Sequence, residues 1–389
     1  MTSSETASAR DWSTLPEDLI LTAMSAMQIP NALHSALVCR SWHVAFATFR
    51  RLRLPSPPHP PCLLHSVSVS AAVYSPSTGA RLFDLPHLTA SAAAGVVGSA
   101  HGWLFTSDPR DANPYLVNPL TGERASLPPI TTLRCVKGSR RIILSDSGEN
   151  IAYDVDFRSG NGDDDAVKPV MAGAARRLMY HRVAISGACV VLLVHMPYRE
   201  ISFARPGDER WTSLTGAGGG FLDAVHNPHD GLFYLLQSTI TVHHEVLAVH
   251  SLNLAVSPPV ATSLTRTTTT DAAARVSGGI SSSYYLATAP NGDHLVLAER
   301  RRLGEAPPTT MEIRLSKISL RRKSKLQAVV EIAGVALFLG HGGAFCLRVE
   351  DFSPMFRGNC AYLADDRDMT PSPCKRRLDL GVWDFRRGG

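Results

Sequence analysis

The sequence is short of charge, of long apolar runs and of paired cysteines, and each shortage removes a class of function. Charged residues are 19% of the 389, and the net charge of +5 is spread along the chain. A nucleic-acid surface gathers its basic residues on one face, so no nucleic-acid partner is expected. The most apolar interior stretch, Val183 to Val194, is bounded by Arg182 and His195. It is too short to cross a bilayer, and no membrane span is expected. Seven cysteines form an odd set with no CxxC pair, which suits reduced intracellular thiols better than a disulfide framework. The opening MTSSETASARD lacks the apolar core of a secretory signal, so residues 1–11 read as a flexible tail.

What is present begins with a helical stretch from Trp12 to Phe49. Thr14 and Glu17 have the spacing of a capping box, and Pro16 suits a first helical turn. Leu19, Ile20, Ala23, Met24 and Met27 then repeat at helical steps, until Pro30 and Asn31 are expected to stop the helix. Leu33, Leu37 and Val38 form a second apolar series. Ser41 is placed to cap a third helix carrying Val44, Ala45 and Phe46. Three helices in about forty residues are near the limit for independent folding, so part of the apolar surface is expected to await a partner.

Leu15-Pro16-Glu17-Asp18-Leu19-Ile20 and, after a helical interval, Val38-Cys39-Arg40-Ser41-Trp42 resemble an F-box. That module docks on the Skp-type adaptor of cullin ubiquitin ligases. The resemblance implies that Leu15, Pro16, Leu19, Ile20, Val38 and Trp42 face the adaptor or shape the surface that does. Met24 and Met27 stand where the family more often has branched residues, a change that a flexible thioether accommodates. Without the two motifs, the same stripe would read as a helical cap packed on its own chain.

The helical module, 12–50, is followed by a linker over 51–61, basic at first and then PSPPHPP. Proline at that density makes a semi-rigid spacer. From Cys62 onward helical periodicity fades, and short runs rich in Val, Ile, Leu, Tyr and Phe alternate with turn residues. Tyr74-Ser-Pro-Ser-Thr-Gly-Ala-Arg81 and Val117-Asn-Pro-Leu-Thr-Gly-Glu-Arg124 align with Pro, Thr, Gly and Arg each 43 residues apart. That is the period of a propeller blade, and residues 62–389 hold six to eight such units. Closing a ring leaves only short protected sheet edges. A pair of β-sandwiches is the structural alternative. The expected fold is thus α+β and multidomain: a small three-helix F-box, then an all-β propeller.

His101-Gly-Trp-Leu104, Val117 to Gly122, Ala336 to Gly340, Gly358 to Tyr362 and Gly381 to Asp384 resemble, in order and spacing, the C-terminal domain of plant F-box proteins of the KIB type. This resemblance implies a β-propeller that receives a protein substrate. Residues 131–175, with Asp163-Asp164-Asp165, match least well, and a loop insertion or degenerate blade is expected there.

Catalytic patterns are weak. Gly216 to Phe221 lacks the last glycine of a dinucleotide loop and the Lys-Ser/Thr of a P-loop. Gly98 to Gly102 sets its serine one place early for a nucleophile elbow. His226 with His229, and His243-His244 beside Glu245, suggest a metal, yet neighbours along a strand point to opposite faces. No metal, cofactor or enzymatic activity is expected. The basic runs Arg300 to Arg302, Arg321 to Lys323 with Lys325, and Lys375 to Arg377 read as solvated turns that lend slight support to nuclear entry. Nucleus and cytoplasm are both kept.

The expected function is substrate recognition in a Skp-cullin-F-box ligase. Its alternatives are a non-degradative scaffold or inhibitor and, less favoured, a propeller enzyme.

Overall fold

The computed structural model of the protein describes residues 11–27, 29–52, 54, 60–67, 70–76, 78–144, 148–157, 167–214, 216, 218–241, 244–269, 280–303, 309–320, 326–364 and 381–388. The chain divides into two compact units, Met1–Cys62 and Leu63–Gly389.

The first unit is helical. A 3-10 turn, Trp12–Thr14, is capped by Asp11, whose carboxylate accepts from the Ser13 amide at 3.0 Å and the Ser13 hydroxyl at 2.6 Å. α1 (Glu17–Ser25), α2 (Ile29–Ser35) and α3 (Arg40–Arg51) follow. The expected capping box does not form: the Thr14 hydroxyl donates to the Asp11 carbonyl instead, and Pro16 takes the cap position of α1 with no side-chain bond. Pro30 starts α2 rather than stopping α1, because a first turn has no use for its missing N–H. Cys39, not Ser41, stands at the cap of α3, and the Ser41 hydroxyl reaches the Ser13 carbonyl at 3.0 Å. The apolar steps bury Ile20, Met24, Ala32, Ala36, Trp42, Ala45, Phe46 and Phe49 in one core.

The second unit is a succession of sheets, seven among the described residues, antiparallel except for one pairing in the last. β1 (Leu63–Val67), β2 (Ser70–Tyr74) and β3 (Arg81–Thr89) form the first, followed by α4 (Ala90–Ala94). β4 (Gly98–Ala100), β5 (Trp103–Ser107), β6 (Pro114–Val117) and β7 (Arg124–Ser126) form the second. β8 (Val136–Leu144), β9 (Gly148–Asp156) and β10 (Val167–Met171), then α5 (Ala172–Leu178), make the third. The fourth comprises β11 (Tyr180–Ile185), β12 (Val191–His195), β13 (Glu200–Ala204) and β14 (Thr212–Ser213). The fifth comprises β15 (Phe221–His226), β16 (Phe233–Ile240), β17 (Glu245–Leu252) and β18 (Ala261–Thr269). The sixth comprises β19 (Ile280–Thr288), β20 (His294–Leu303), β21 (Thr309–Ser319) and β22 (Gln327–Val329). β23 (Val335–Gly340), β24 (Gly343–Arg348), β25 (Cys360–Leu363) and β26 (Gly381–Asp384) make the seventh, in the order β24-β23-β25-β26 with β23 and β25 parallel.

Five sheets have four strands, and their innermost strands β4, β11, β15, β19 and β24 pack side by side in that series. This is the blade-on-blade arrangement of a propeller. The two three-stranded sheets contribute no strand to that series. One of them, β8 to β10, falls inside residues 131–175, where the sequence pattern was weakest. The stretch Asp163 to Asp165 lies outside the described residues. Apolar cores fill the spaces between consecutive sheets: Leu192, Phe221 and Leu235 between the fourth and fifth, Leu247, Leu286 and Leu297 between the fifth and sixth, and Tyr285, Leu315 and Leu337 between the sixth and seventh.

The 43-residue repeat is one turn used twice. It joins β2 to β3 and β6 to β7. The Ser75 amide donates to Ala80 and the Gly79 amide to Ser75; likewise Asn118 donates to Glu123 and Gly122 to Asn118. Gly79 at φ +68° and Gly122 at φ +74° occupy the left-handed region that closes the loop. The same bond pair recurs with less similar sequence at Asp108–Asn113 and Asn227–Leu232. No helix among the described residues is long and apolar enough to cross a membrane.

Candidate functional site

On the helical unit, the six residues singled out by the F-box resemblance fall into two sets. Pro16 is exposed, and Leu19 and Val38 remain 51% and 67% exposed. Ile20 and Trp42 are buried at 1% and 7%, while Leu15 is half-buried against the same core. The first set is available for contact, and the second holds the helices in place. Sequence periodicity missed two members of the open surface: Leu37 is 79% exposed and Val44 51%. Leu37 sits four residues after Leu33 and so reads as core, but α2 ends at Ser35. The following turn, in which Leu37 donates to His34 and Val38 to Ser35, carries both side chains out of helical register. Leaving Leu19, Leu37, Val38 and Val44 in water forgoes their burial energy, of the order of 1.5–3 kcal/mol per fully buried side chain. Beside Val38, the Cys39 thiol is held below its ordinary pKa by the Ser41 hydroxyl and the Trp42 amide.

In the β unit, buried polar groups gather on the innermost strands. Arg182 Nε on β11 lies 3.9 Å from Asp223 on β15, and Arg182 Nη1 donates to the His341 carbonyl at 3.3 Å in the β23–β24 turn. Its guanidinium also stands 5.8 Å from the Tyr285 ring on β19. One Asp223 oxygen accepts the Leu286 amide at 2.7 Å and the other accepts the Ala224 amide at 2.9 Å. Burial outweighs these partners and pushes the Asp223 carboxyl up to about 6. Desolvation, with Arg182 and Arg199 nearby, drives the His181 pKa down to about 3. The Tyr285 hydroxyl is buried with no hydrogen-bond partner among the described residues. Beside this group, Glu245 accepts from the Ser238 hydroxyl at 2.7 Å and the Tyr284 hydroxyl at 2.9 Å. The group ties four sheets together through charge and directional bonds.

The run Arg300 to Arg302 is not a solvated turn. It lies in β20, where Arg300 is fully buried and bonds Thr310, and Arg302 is 4% exposed. Four-stranded pairing on both sides turns alternate arginines inward. The runs at 321–325 and 375–377 lie outside the described residues, as do Pro55 to His59 and His243.

Among the described residues, hydrolase geometry is approached at His195 and Ser202. His195 Nε2 lies 3.0 Å from the Ser202 hydroxyl, but Nδ1 faces the Met196 carbonyl at 3.3 Å where a triad has its carboxylate. Both side chains are buried within the fourth sheet, out of a substrate's reach. His101 and Gly102 form a hairpin turn at φ 52° and 79°, not a strand-to-helix elbow. In the Gly216 to Phe221 segment, side chains at Gly219 and Gly220 would collide with the Tyr198 and Ser238 carbonyls, so these glycines serve close backbone approach. Among the described residues, no group of three or more His, Cys, Asp or Glu is placed to hold a metal ion.

Residues 73–384 match the KIB1-4 beta-propeller family, and the chain belongs to it. None of the curated proteins searched matches. Similar solved structures include a nidogen/laminin complex, at 8% identity and TM-score 0.36 over 69% of this chain and 77% of that one. The Kuenenia stuttgartiensis hydrazine synthase is similar at 10% identity and TM-score 0.30, covering 71% and 67%. The Cps50 (Swd1) beta-propeller domain of Myceliophteria thermophila is similar at 9% identity and TM-score 0.29, covering 65% and 88%. Likenesses this distant bear on neither mechanism nor partner. The β unit is a propeller of a kind commonly used as a platform for protein interactions.

Proposed function

We propose that the chain is the substrate-recognition subunit of a Skp-cullin-F-box ubiquitin ligase, acting in the nucleus, the cytoplasm or both. The helical unit docks the Skp-type adaptor, and the propeller holds a protein target. The observation that supports the docking half is the surface of Leu19, Leu37, Val38 and Val44, left in water beside a core that Ile20 and Trp42 complete without them. The chain then works by proximity: holding the target raises the local concentration of its lysines around a charged ubiquitin-conjugating enzyme supplied by other subunits.

The test is recovery of adaptor and cullin with the full chain, followed by the lifetime of the captured target with and without proteasome block. Recovery of both subunits and a target lengthened by the block support the proposal. A target whose lifetime is indifferent to the chain and to the block indicates a scaffold or inhibitor instead.

A further inference from the structure

β21 pairs with β20 from Thr309↔Leu303 to Ser319↔His294, but with β22 only at Leu315, Ser316 and Lys317. β22 ends at Val329, and Val330 turns away with 87% of its surface exposed. The stretch Met311 to Ile313 therefore has no described strand on its outer side. Met311 is the extra residue of a β-bulge opposite Arg301 and Arg302, and it remains 44% exposed. A cleft of about 610 Å³ lies along this edge.

The two walls of the cleft differ because successive residues of a strand face opposite ways. Ile313 and Leu315 share the core with the seventh sheet, against which Trp383 and Phe385 pack, and these side chains make an apolar wall. Glu312 and Arg314 look the other way, toward Tyr284 and Thr267. Glu312 bonds Arg301 and Arg314, each at 2.8 Å, and Glu299 lies 4.0 Å from Arg301, so two carboxylates balance two guanidiniums on this wall.

We propose that this cleft receives an extended segment of the protein target, added as a strand in the row that β22 vacates at Val330. This rests on reading the propeller as a target platform. An open strand edge offers main-chain donors and acceptors at fixed spacing, which another extended chain satisfies. Alternation then sets the occupant's sequence. Apolar residues at every second position pack on the partly exposed Val329, Trp383 and Phe385, which lie over the buried Ile313 and Leu315, and uncharged polar residues between them meet the charge-balanced wall of Glu299, Arg301, Glu312 and Arg314.

The probe is a fluorescent decapeptide of alternating valine and threonine with lysine ends, titrated into the full chain by anisotropy. Its twin carries N-methyl groups on the edge-facing amides. Saturable binding, weakened about tenfold or more by N-methylation through lost main-chain bonds, is expected. The exposed double variant Met311→Lys, Val330→Lys is expected to weaken binding similarly, and hydrogen exchange at Met311 to Ile313 is expected to slow when the peptide is bound. Equal affinity for the methylated peptide, equal affinity in the variant, absence of saturable binding, or a dimer of the chain that the peptide dissociates would each overturn the inference. Adaptor recovery is read on the same variant. Lost peptide binding with intact adaptor recovery removes only the variant's edge, whereas failure of adaptor recovery in wild type removes the ligase reading and leaves the peptide result standing by itself.

Discussion

The Trp42 indole donates to the Trp12 carbonyl at 3.0 Å, fastening α3 to the turn that precedes α1. This bond assigns Trp42 to the interior of the helical unit, where it is 7% exposed. Trp42→Phe is expected to cost about 1 kcal/mol for the lost hydrogen bond. Trp42→Ala, which also opens a cavity, is expected to cost about 3–5 kcal/mol. Urea unfolding monitored by helical circular dichroism separates the two. Loss of adaptor binding in Trp42→Ala would therefore report unfolding rather than a lost contact.

Glycine substitutions probe the repeated turn. Gly79 and Gly122 both have positive φ, but a Cβ at Gly79 meets nothing within 4 Å, whereas one at Gly122 comes within 2.9 Å of the His87 ring. Gly79→Ala is expected to cost about 1–2 kcal/mol from backbone strain alone. Gly122→Ala should cost more, and Gly79→Asn should recover part of the loss, since asparagine tolerates the left-handed region. Thermal unfolding of the three variants checks the order.

Acid stability follows from desolvated imidazoles. His181, with its pKa lowered to about 3, and His195, His226 and His250, all lowered chiefly by desolvation, take up protons less readily in the fold than in the unfolded chain. The unfolded chain takes up their protons near about pH 6.5, so each favours unfolding as the pH falls below that value. Asp223 acts oppositely: its pKa is raised to about 6, so its contribution is present below about pH 4 and is lost as the pH rises through 6. Four groups against one give a net loss of stability on acidification. Urea midpoints taken between about pH 4 and pH 7 should fall with falling pH. His181→Asn should make the slope shallower and Asp223→Asn steeper.

Much of this architecture was legible in the sequence. The helical steps of Ile20 and Met24, the β texture after Cys62 and the Pro-Thr-Gly-Arg turn each express a local rule that the fold obeys. The misreadings came where one local option displaced another. Thr14 had a second acceptor in Asp11, so the capping box lost; Pro30 satisfied the start of a helix as readily as the end of one. Arg300 to Arg302 misled for a different reason: inward or outward direction depends on pairing partners far away in sequence. The same holds for the parallel β23–β25 pairing and for the Arg182–Asp223–His341 group, whose members are brought together only by the stacking of sheets. Exposed Leu37 was hidden because a helix two residues longer would have buried it.

The measurement that tests the central claim most directly is titration of a Skp-type adaptor into the full chain and into its Leu19→Asp, Val38→Asp variant. Both substitutions fall on exposed side chains and should leave the unfolding free energy nearly unchanged, within about 0.5 kcal/mol. The account predicts tight saturable binding to wild type and a loss of about a hundredfold or more in the variant, as for removal of central apolar contacts. A folded wild type that does not bind, or a variant that binds equally well, would contradict it.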